Sequence, residues 1–408
     1  MLYLRQLPDR VNVDGIYIKC IWIALTYTTL IAASSDCSMK STILKSWHHL
    51  PSLKQEWNAL LQSSRSNSIF LTWEWIQAWR AVVGEDKQLF VVAVHDEQGR
   101  LVGVAPFYEY RFLLFNLIPF KALRILADYS TAFEYGDWFV DPACEQAALD
   151  AIAGALSKST DWDVIWMPRM SGWNGAMERI SAAVTRAGML QQKRSSVFSH
   201  FPLPTSIKAF EEGFSTKRRQ QLRRNRRNLM STAGIEFVQC GNEQELPVFI
   251  DALFDLHHRR RLLLGDDGCF IRRPAEADFY RQFVPKALAN GWLRLAALSQ
   301  DGTIQAIQIG YVYNNEFLQL QEGFNPDYID GAGNVLRHIV IEECINEGLT
   351  GYDFLGGFSE HKRRWGAQER TGYDLMIARP TLKNRLLFLK QIWPSSRFIK
   401  ELGLYDGN

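Results

Sequence analysis

The feature that most constrains this chain is a repeat of whole structural elements. LFVVAVHDEQGRLVGVAPFY (89–108) is answered far downstream by LRLAALSQDGTIQAIQIGY (293–311). Each reads as an apolar strand, an acidic glycine turn and an apolar return strand, the pattern of a buried hairpin. The order then continues in parallel, strand then helix, to WDVIWM (162–167) in one half and GYDFLG (351–356) in the other. Such a repeat calls for two similar folding units, and 408 residues are enough for two. The expected organisation is a first unit over 39–200, a second over 201–380 and a helical tail over 381–408. The expected class is α+β, each unit a mixed central sheet flanked by helices.

Residues 1–38 differ from the rest. Ile16 to Ala33 is apolar but interrupted by Lys19 and a run of threonines. Three readings stand: a weak membrane span, a signal peptide with Ala32-Ala33-Ser34 as its small-residue site, or an upstream extension from a misassigned start. Met39-Lys40 opens an ordinary soluble sequence, which favours the third. The expected location is therefore cytoplasmic, with membrane association through the extension as the alternative.

Charge and cysteine usage exclude some classes. Forty-six basic residues face 44 acidic ones, a balance unlike that of a dedicated nucleic-acid binder. The six cysteines are scattered without a CxxC pair, so neither a disulfide framework nor a zinc site is expected. No metal cofactor is expected.

Along the first unit, FLTWEWIQAW (70–79) predicts a helix capped by Thr72, with Trp75, Ile76 and Trp79 inward and Trp73 half exposed. Glu134 to Pro142 is expected to be a strand. The second unit opens on a basic amphipathic run, Lys217 to Arg227, with Leu222 and Leu229 on one face. Such a run is usually a solvated face; it is also able to gather phosphates of a nucleotide, an RNA or a lipid, with Arg218 the candidate contact.

The stretch Leu318–Gly366 carries the candidate site. It reads as strand, glycine loop, helix, strand and basic loop. Gly331-Ala332-Gly333 precedes the helix, Asn334 is the expected N-cap, and Gly348 ends the helix. Glycines before a helix offer unpaired amides and the positive dipole end to a phosphate, although the same glycines also suit a plain tight turn. Gly331, Gly333 and Asn334 are thus the candidate donor-binding residues. Glu322 and Asp353 are candidate bases, with His257 a weaker one. Lys362 is a candidate for stabilising negative charge, and Trp365 for stacking on an acceptor sugar. Asp353 has a rival role in pinning the following loop, Lys362 as a solvated lysine and Trp365 as a core plug.

With these pieces in place, the chain resembles the tandem GNAT-fold acyltransferases, in particular the CelD-like group, related to the FemAB peptidyl transferases. The resemblance rests on FLTWEWIQAW, the GRLVGVAPFY hairpin (99–108), the arginine helix, the second hairpin (291–310), GFNPDY (323–328) and YDFLGGFSEHKRRWG (352–366). It departs from the family at the donor loop: both glycines are kept, but Tyr328 stands where the pattern has Arg or Gln. The resemblance implies that the second unit carries the transferase site, that the first is degenerate, and that acyl-CoA is the donor. It also implies that splayed backbone at Leu318–Glu322 polarises the donor carbonyl. The leading expectation is an N- or O-acyltransferase acting on an amine or hydroxyl of a small molecule or polysaccharide precursor, within exopolysaccharide or cellulose synthesis machinery. Two alternatives remain: a FemAB-like transferase using aminoacyl-tRNA, with tRNA the less favoured partner, and a non-catalytic scaffold.

Overall fold

The computed structural model describes residues 39–128 and 131–389. The extension 1–38 and the end of the tail lie outside the described residues. Among the described residues thirteen strands form one mixed sheet: β1 (Lys40–Leu44), β2 (Leu89–His95), β3 (Leu101–Leu114), β4 (Ile118–Ile125), β5 (Phe139–Val140), β6 (Val164–Ser171), β7 (Leu190–Pro202), β8 (Ile235–Gln239), β9 (Leu293–Gln300), β10 (Thr303–Tyr313), β11 (Glu316–Phe324), β12 (Gly351–Gly356) and β13 (Gln368–Ala378). Their order is β1-β2-β3-β4-β6-β13-β7-β12-β11-β10-β9-β8, with β5 on β3. Both expected hairpins form, β2–β3 and β9–β10, each antiparallel. In each half one pair is parallel, β4–β6 and β11–β12.

The two halves match element for element, but their last strands have changed places. β7 ends the first half and pairs with β12 of the second. β13 ends the second half and pairs with β6 of the first. β7 and β13 also pair with each other from Gln368↔His200 to Ala378↔Leu190. The sequence repeat thus has its seam near residue 200, while in space the halves are interlocked through their terminal strands. Backbone hydrogen bonds of each half are completed by the other, so neither half has a free sheet edge at the seam.

The helices used below are α1 (Lys54–Ser63), α2 (Trp73–Trp79), α3 (Glu145–Lys158), α4 (Ala176–Arg186), α5 (Thr216–Met230), α6 (Leu246–Leu262), α7 (Pro274–Ala289) and α8 (Ala332–Asn346). Thr72 caps α2 as expected, its hydroxyl accepting from the amide of Trp75. Trp73, expected to be half exposed, is buried, its ring edge-on to Trp57 at 5.9 Å. Trp75 packs on Phe279 and Phe283 of α7 at 4.8 and 4.5 Å, which joins the two halves on the helical layer as well. Only Phe139–Val140 of the expected 134–142 strand is strand. The residues before it leave the sheet because Tyr135 adopts φ 57° and Glu134 turns into the seam between the halves. Among the described residues no helix is long and apolar enough to cross a membrane. Cys240, Cys269 and Cys344 are free thiols.

Candidate functional site

The parallel pair β11–β12 is the geometric centre of the site. The strands are paired only over Glu316–Leu318 and Gly351–Asp353. A bulge then shifts β11 against β10, Ile309 facing Gln321 and Gly310 facing Gln319, so that Leu320 is the extra residue. A bulge bends its strand and strengthens the local twist. Beyond Leu318 the two strands part, and the side of β11 that faces β12 loses its sheet partner. Among the described residues no strand pairs with that side of β11 beyond Leu318, which suits an extended ligand or a carbonyl oxygen.

The glycine turn lies where β11 leads into α8. Gly331, not Asn334, is the N-cap position, with φ 86° and no side-chain cap; Asn334 sits inside the first turn. No acceptor contacts the amides of Gly331 or Gly333 among the described residues. A Cβ on Gly331 would have only Asn225 Nδ2 of α5 nearby, at 3.6 Å. A Cβ on Gly333 would come within 3.3 Å of the Phe324 ring. The first half differs at the matching place. α3 is preceded by a short turn whose cap, Asp141, accepts from Ala143 N at 2.9 Å and pairs with Arg100 at 2.8 Å. A carboxylate already occupies that helix start, which disfavours a second anion there.

Glu322 is committed to cations. Its carboxylate meets Arg337 of α8 and Arg260 of α6, the latter at 3.1 Å, and accepts from Gln319 at 3.2 Å. Arg337 also donates to His361 Nε2 at 2.5 Å. Despite burial, these partners hold the Glu322 carboxyl below its ordinary range. It is therefore a charged anchor and a poor proton acceptor. Tyr352 extends the network, donating to Gln319 at 3.0 Å and accepting from Gln308 at 2.5 Å.

Trp365, expected to stack on an acceptor, is fully buried. The short helix Glu360–Arg363 carries the chain over it, and its ring lies between the guanidinium groups of Arg218 at 5.5 Å and Arg337 at 5.7 Å. Arg218 is half-buried against this ring, and burial lowers its pKa. Both side chains serve packing between α5, α8 and the basic loop. His257 is likewise buried, edge-on to Phe270 at 4.9 Å and 4.0 Å from Cys269 Sγ; burial pulls its pKa down to about 4. A neutral imidazole this deeply buried lacks access to an acceptor.

Asp353 and Lys362 both lie at the seam, and Asp353 takes a partner from the first half. Asp353 accepts from Tyr135 Oη at 2.6 Å and from Leu355 N at 2.7 Å, and burial raises its pKa. Lys362 directs its ammonium at three carbonyls, those of Phe354 at 2.9, Gly356 at 2.7 and Gly357 at 2.9 Å. Its three donors are thus spent on the backbone at the end of β12, in place of the expected contact with developing charge. Beside it, Glu134 pairs with Arg169 at 2.5 Å and accepts weakly from Gly356 N at 3.4 Å. Burial pushes the Glu134 carboxyl up to about 7, with Arg169 opposing and Asp353 reinforcing the rise. Its Oε2 is buried without a partner.

Backbone strain gathers here as well. Tyr135, Arg169 and Leu355 have φ of 57°, 56° and 59°, a region costly for residues with a Cβ. Tyr135 N donates to Arg169 O at 3.0 Å, and Arg169 N to Asp374 at 2.8 Å. Such clustering marks places where the fold over-determines a geometry for use. Sequence reasoning missed Glu134, Tyr135 and Arg169. Their only signal was a carboxylate inside an otherwise apolar run, AFEYGDWFV.

Among the described residues no group of His, Cys, Asp and Glu is placed to hold a metal ion. Residues 216–363 match the family model for the acetyltransferase (GNAT) domain. In three dimensions the chain is similar to FemX, with a TM-score of 0.57 at 13% identity over 86% of this chain and 99% of that one. It is more distantly similar to a C-terminal domain of a putative lysylphosphatidylglycerol synthetase from Agrobacterium fabrum, TM-score 0.46 at 12% identity over 82% and 98% of the two chains. A tandem GNAT protein from the clavulanic acid biosynthesis pathway gives 0.44 at 11% over 84% and 98%. At these identities the likeness to FemX speaks for the fold alone, and the other two carry no further argument. No curated protein matches the chain by sequence.

Proposed function

We propose that this chain, whose second half carries a GNAT acetyltransferase domain, transfers an acyl group from a coenzyme A thioester to an amine or hydroxyl acceptor. The observation that carries the reading is the parting of β11 and β12 beyond Leu318, opening beside the uncapped start of α8. A donor lying in that opening would place its thioester against the unpaired side of β11 and its phosphates against Gly331 and Gly333. Glu134 at the end of β12 is the base in this reading: a carboxylate poised near neutrality accepts a proton from the attacking amine or hydroxyl as the bond to the acyl carbon forms. The thiolate of coenzyme A leaves as the tetrahedral centre collapses. Arg169 holds Glu134, and Tyr135 and Lys362 fix the backbone around it. The acceptor we favour is an amino sugar or polysaccharide precursor in the cytoplasm.

One observation favours a second reading. Lys217, Arg219, Arg224 and Arg227 on α5 have no ion pair among the described residues, and Asn225 of the same helix borders Gly331. Cations on a helix that borders the donor turn through Asn225 also suit the acceptor end of an aminoacyl-tRNA. A thermal-shift comparison of acetyl-CoA, longer acyl-CoA esters and bulk tRNA separates the readings, since a ligand of the folded state raises the midpoint. Stabilisation by acyl-CoA supports the first. Stabilisation by tRNA alone replaces it with the second.

A further inference from the structure

The exchanged strands leave one arginine of the seam uncommitted. Phe198 of β7 pairs on one side with Gly356 of β12 and on the other with Arg370 of β13. Residues paired across antiparallel strands project to the same face, so these residues form a row across neighbouring strands. The ends of the row are two strand spacings, about 10 Å, apart. At the β12 end a Cβ on Gly356 would point at Arg169 Nη2 and Glu134 Oε1. At the β13 end Arg370 holds its guanidinium 5.1 Å from the ring centre of Trp173. Glu134 and Arg370 thus stand on one face of the sheet, at opposite ends of one row.

Trp173 is built into this row. Its ring meets Tyr135 at 5.3 Å and Phe198 at 5.5 Å, both nearly at right angles, and 42% of the residue stays open to solvent. Arg370 is half-buried, and its five N–H donors have no acceptor among the described residues. The other cations of the seam are committed, Arg169 to Glu134, Arg194 to Asp374 and Lys362 to backbone carbonyls. Two carboxylates lie near Arg370. Glu316 senses its charge but is engaged by His200 at 2.9 Å. Glu369, next to it in β13, alternates to the opposite face.

We propose that Arg370 and Trp173 form an acceptor subsite for an anionic sugar, Arg370 taking its phosphate or carboxylate and Trp173 carrying its ring. The placement rests on the transfer reading, in which Glu134 takes the proton of the attacking group. An acceptor anchored at Arg370 reaches along the row toward Glu134, a span that one sugar ring with a charged substituent bridges. The guanidinium fork receives either oxyanion through two parallel hydrogen bonds. The open indole offers an apolar surface for the C–H face of the ring. A nucleobase would also stack there, but it brings no aliphatic amine or hydroxyl to Glu134. Trp365, expected for this stacking, is enclosed; Trp173 is open and stands on the face that carries the base.

The test is titration calorimetry of the full chain with glucosamine 6-phosphate, glucuronate and glucosamine, without an acyl donor. Wild-type chain is expected to bind at least one anionic sugar, the tighter of the two identifying the oxyanion, and to bind glucosamine about tenfold more weakly or less. Arg370→Gln is expected to reduce the anionic sugars to the level of glucosamine, with little change in melting temperature because no hydrogen bond is lost. Arg370→Lys is expected to recover only part of the preference, since lysine lacks the fork. Trp173→Ala is expected to weaken all sugars. The proposal is overturned if neither anionic sugar binds the wild-type chain, if Arg370→Gln binds them as the wild type does, or if adenosine monophosphate binds as tightly as the sugar phosphate. Because no donor is present, failure of acyl-CoA to raise the melting temperature would strike the transfer reading and leave this binding result standing.

Discussion

The phenol of Tyr135 donates to Oδ2 of Asp353 at 2.6 Å, joining the irregular segment of the first half to β12 of the second. Asp353 is 2% exposed, and its other oxygen accepts from Leu355 N. Tyr135→Phe removes one partner from a buried carboxyl and should cost about 1–3 kcal/mol. Asp353→Asn added to it should cost less than the sum of the two single changes, because they share one contact. Chemical denaturation of the four proteins in this cycle measures the coupling, and strict additivity would show that the contact contributes nothing.

Glu134 should give the protein a pH dependence of known sign. Its carboxyl titrates at about 7 when folded against 4.5 ordinarily. Between those values the folded state keeps a proton that the unfolded state has lost, so stability declines as pH rises through that window. The decline is about 3 kcal/mol at most, reduced because its partner Arg169 is 38% exposed. In Glu134→Gln this titration is gone, so its stability relative to wild type should improve from pH 4.5 to 7. In activity assays the same variant should lose the limb near neutrality. A difference in stability that is flat with pH would contradict the assignment.

The glycine turn should separate folding from binding. Gly331→Val places a branched residue at φ 86° and should destabilise the fold by more than the about 1–2 kcal/mol of an ordinary residue. Gly331→Asn, whose side chain tolerates that backbone, should be milder. Gly333→Val must displace Phe324 and crowd the start of α8. In thermal-shift assays both valine variants should lose the rise in midpoint given by acyl-CoA. Folded valine variants that keep the full rise would reduce these glycines to a turn.

Lys362 should behave as a structural cation. Lys362→Met leaves three carbonyls at the end of β12 without their donor and should cost about 2 kcal/mol. Hydrogen exchange should quicken across residues 354–366 with little change in β2 and β3. If stability is untouched while turnover collapses, the ammonium serves the reaction directly.

Acid should act through buried imidazoles. His257 and His338 are held near 4 by burial against an ordinary 6.5. The stability each contributes is present above 6.5 and lost as pH falls toward 4, where the unfolded chain takes up protons that the folded chain refuses. Stability measured down this range should fall, and His338→Leu should shallow the slope.

Local pattern alone determined much of this molecule. Alternation and turn residues within 89–108 and 293–311 were enough to define both hairpins, because a hairpin is closed by its own neighbours in sequence. The Thr72 cap and the helix end at Gly348 were legible for the same reason: each is a contact within a few residues. Gly331 and Gly333 were found as a turn, although the helix start moved from Asn334 to Gly331, whose left-handed backbone needs no side-chain cap. The tertiary structure decided what depended on distant partners. The exchange of β7 and β13 left no mark in their own residues, since either strand satisfies the same backbone donors in either place. Trp365 and His257 read as functional side chains until the fold enclosed them. Glu134, in an apolar run, carries no local mark of its surroundings: Arg169 of β6 and Gly356 of β12 come against it only in the folded chain, where loss of solvent raises its affinity for a proton.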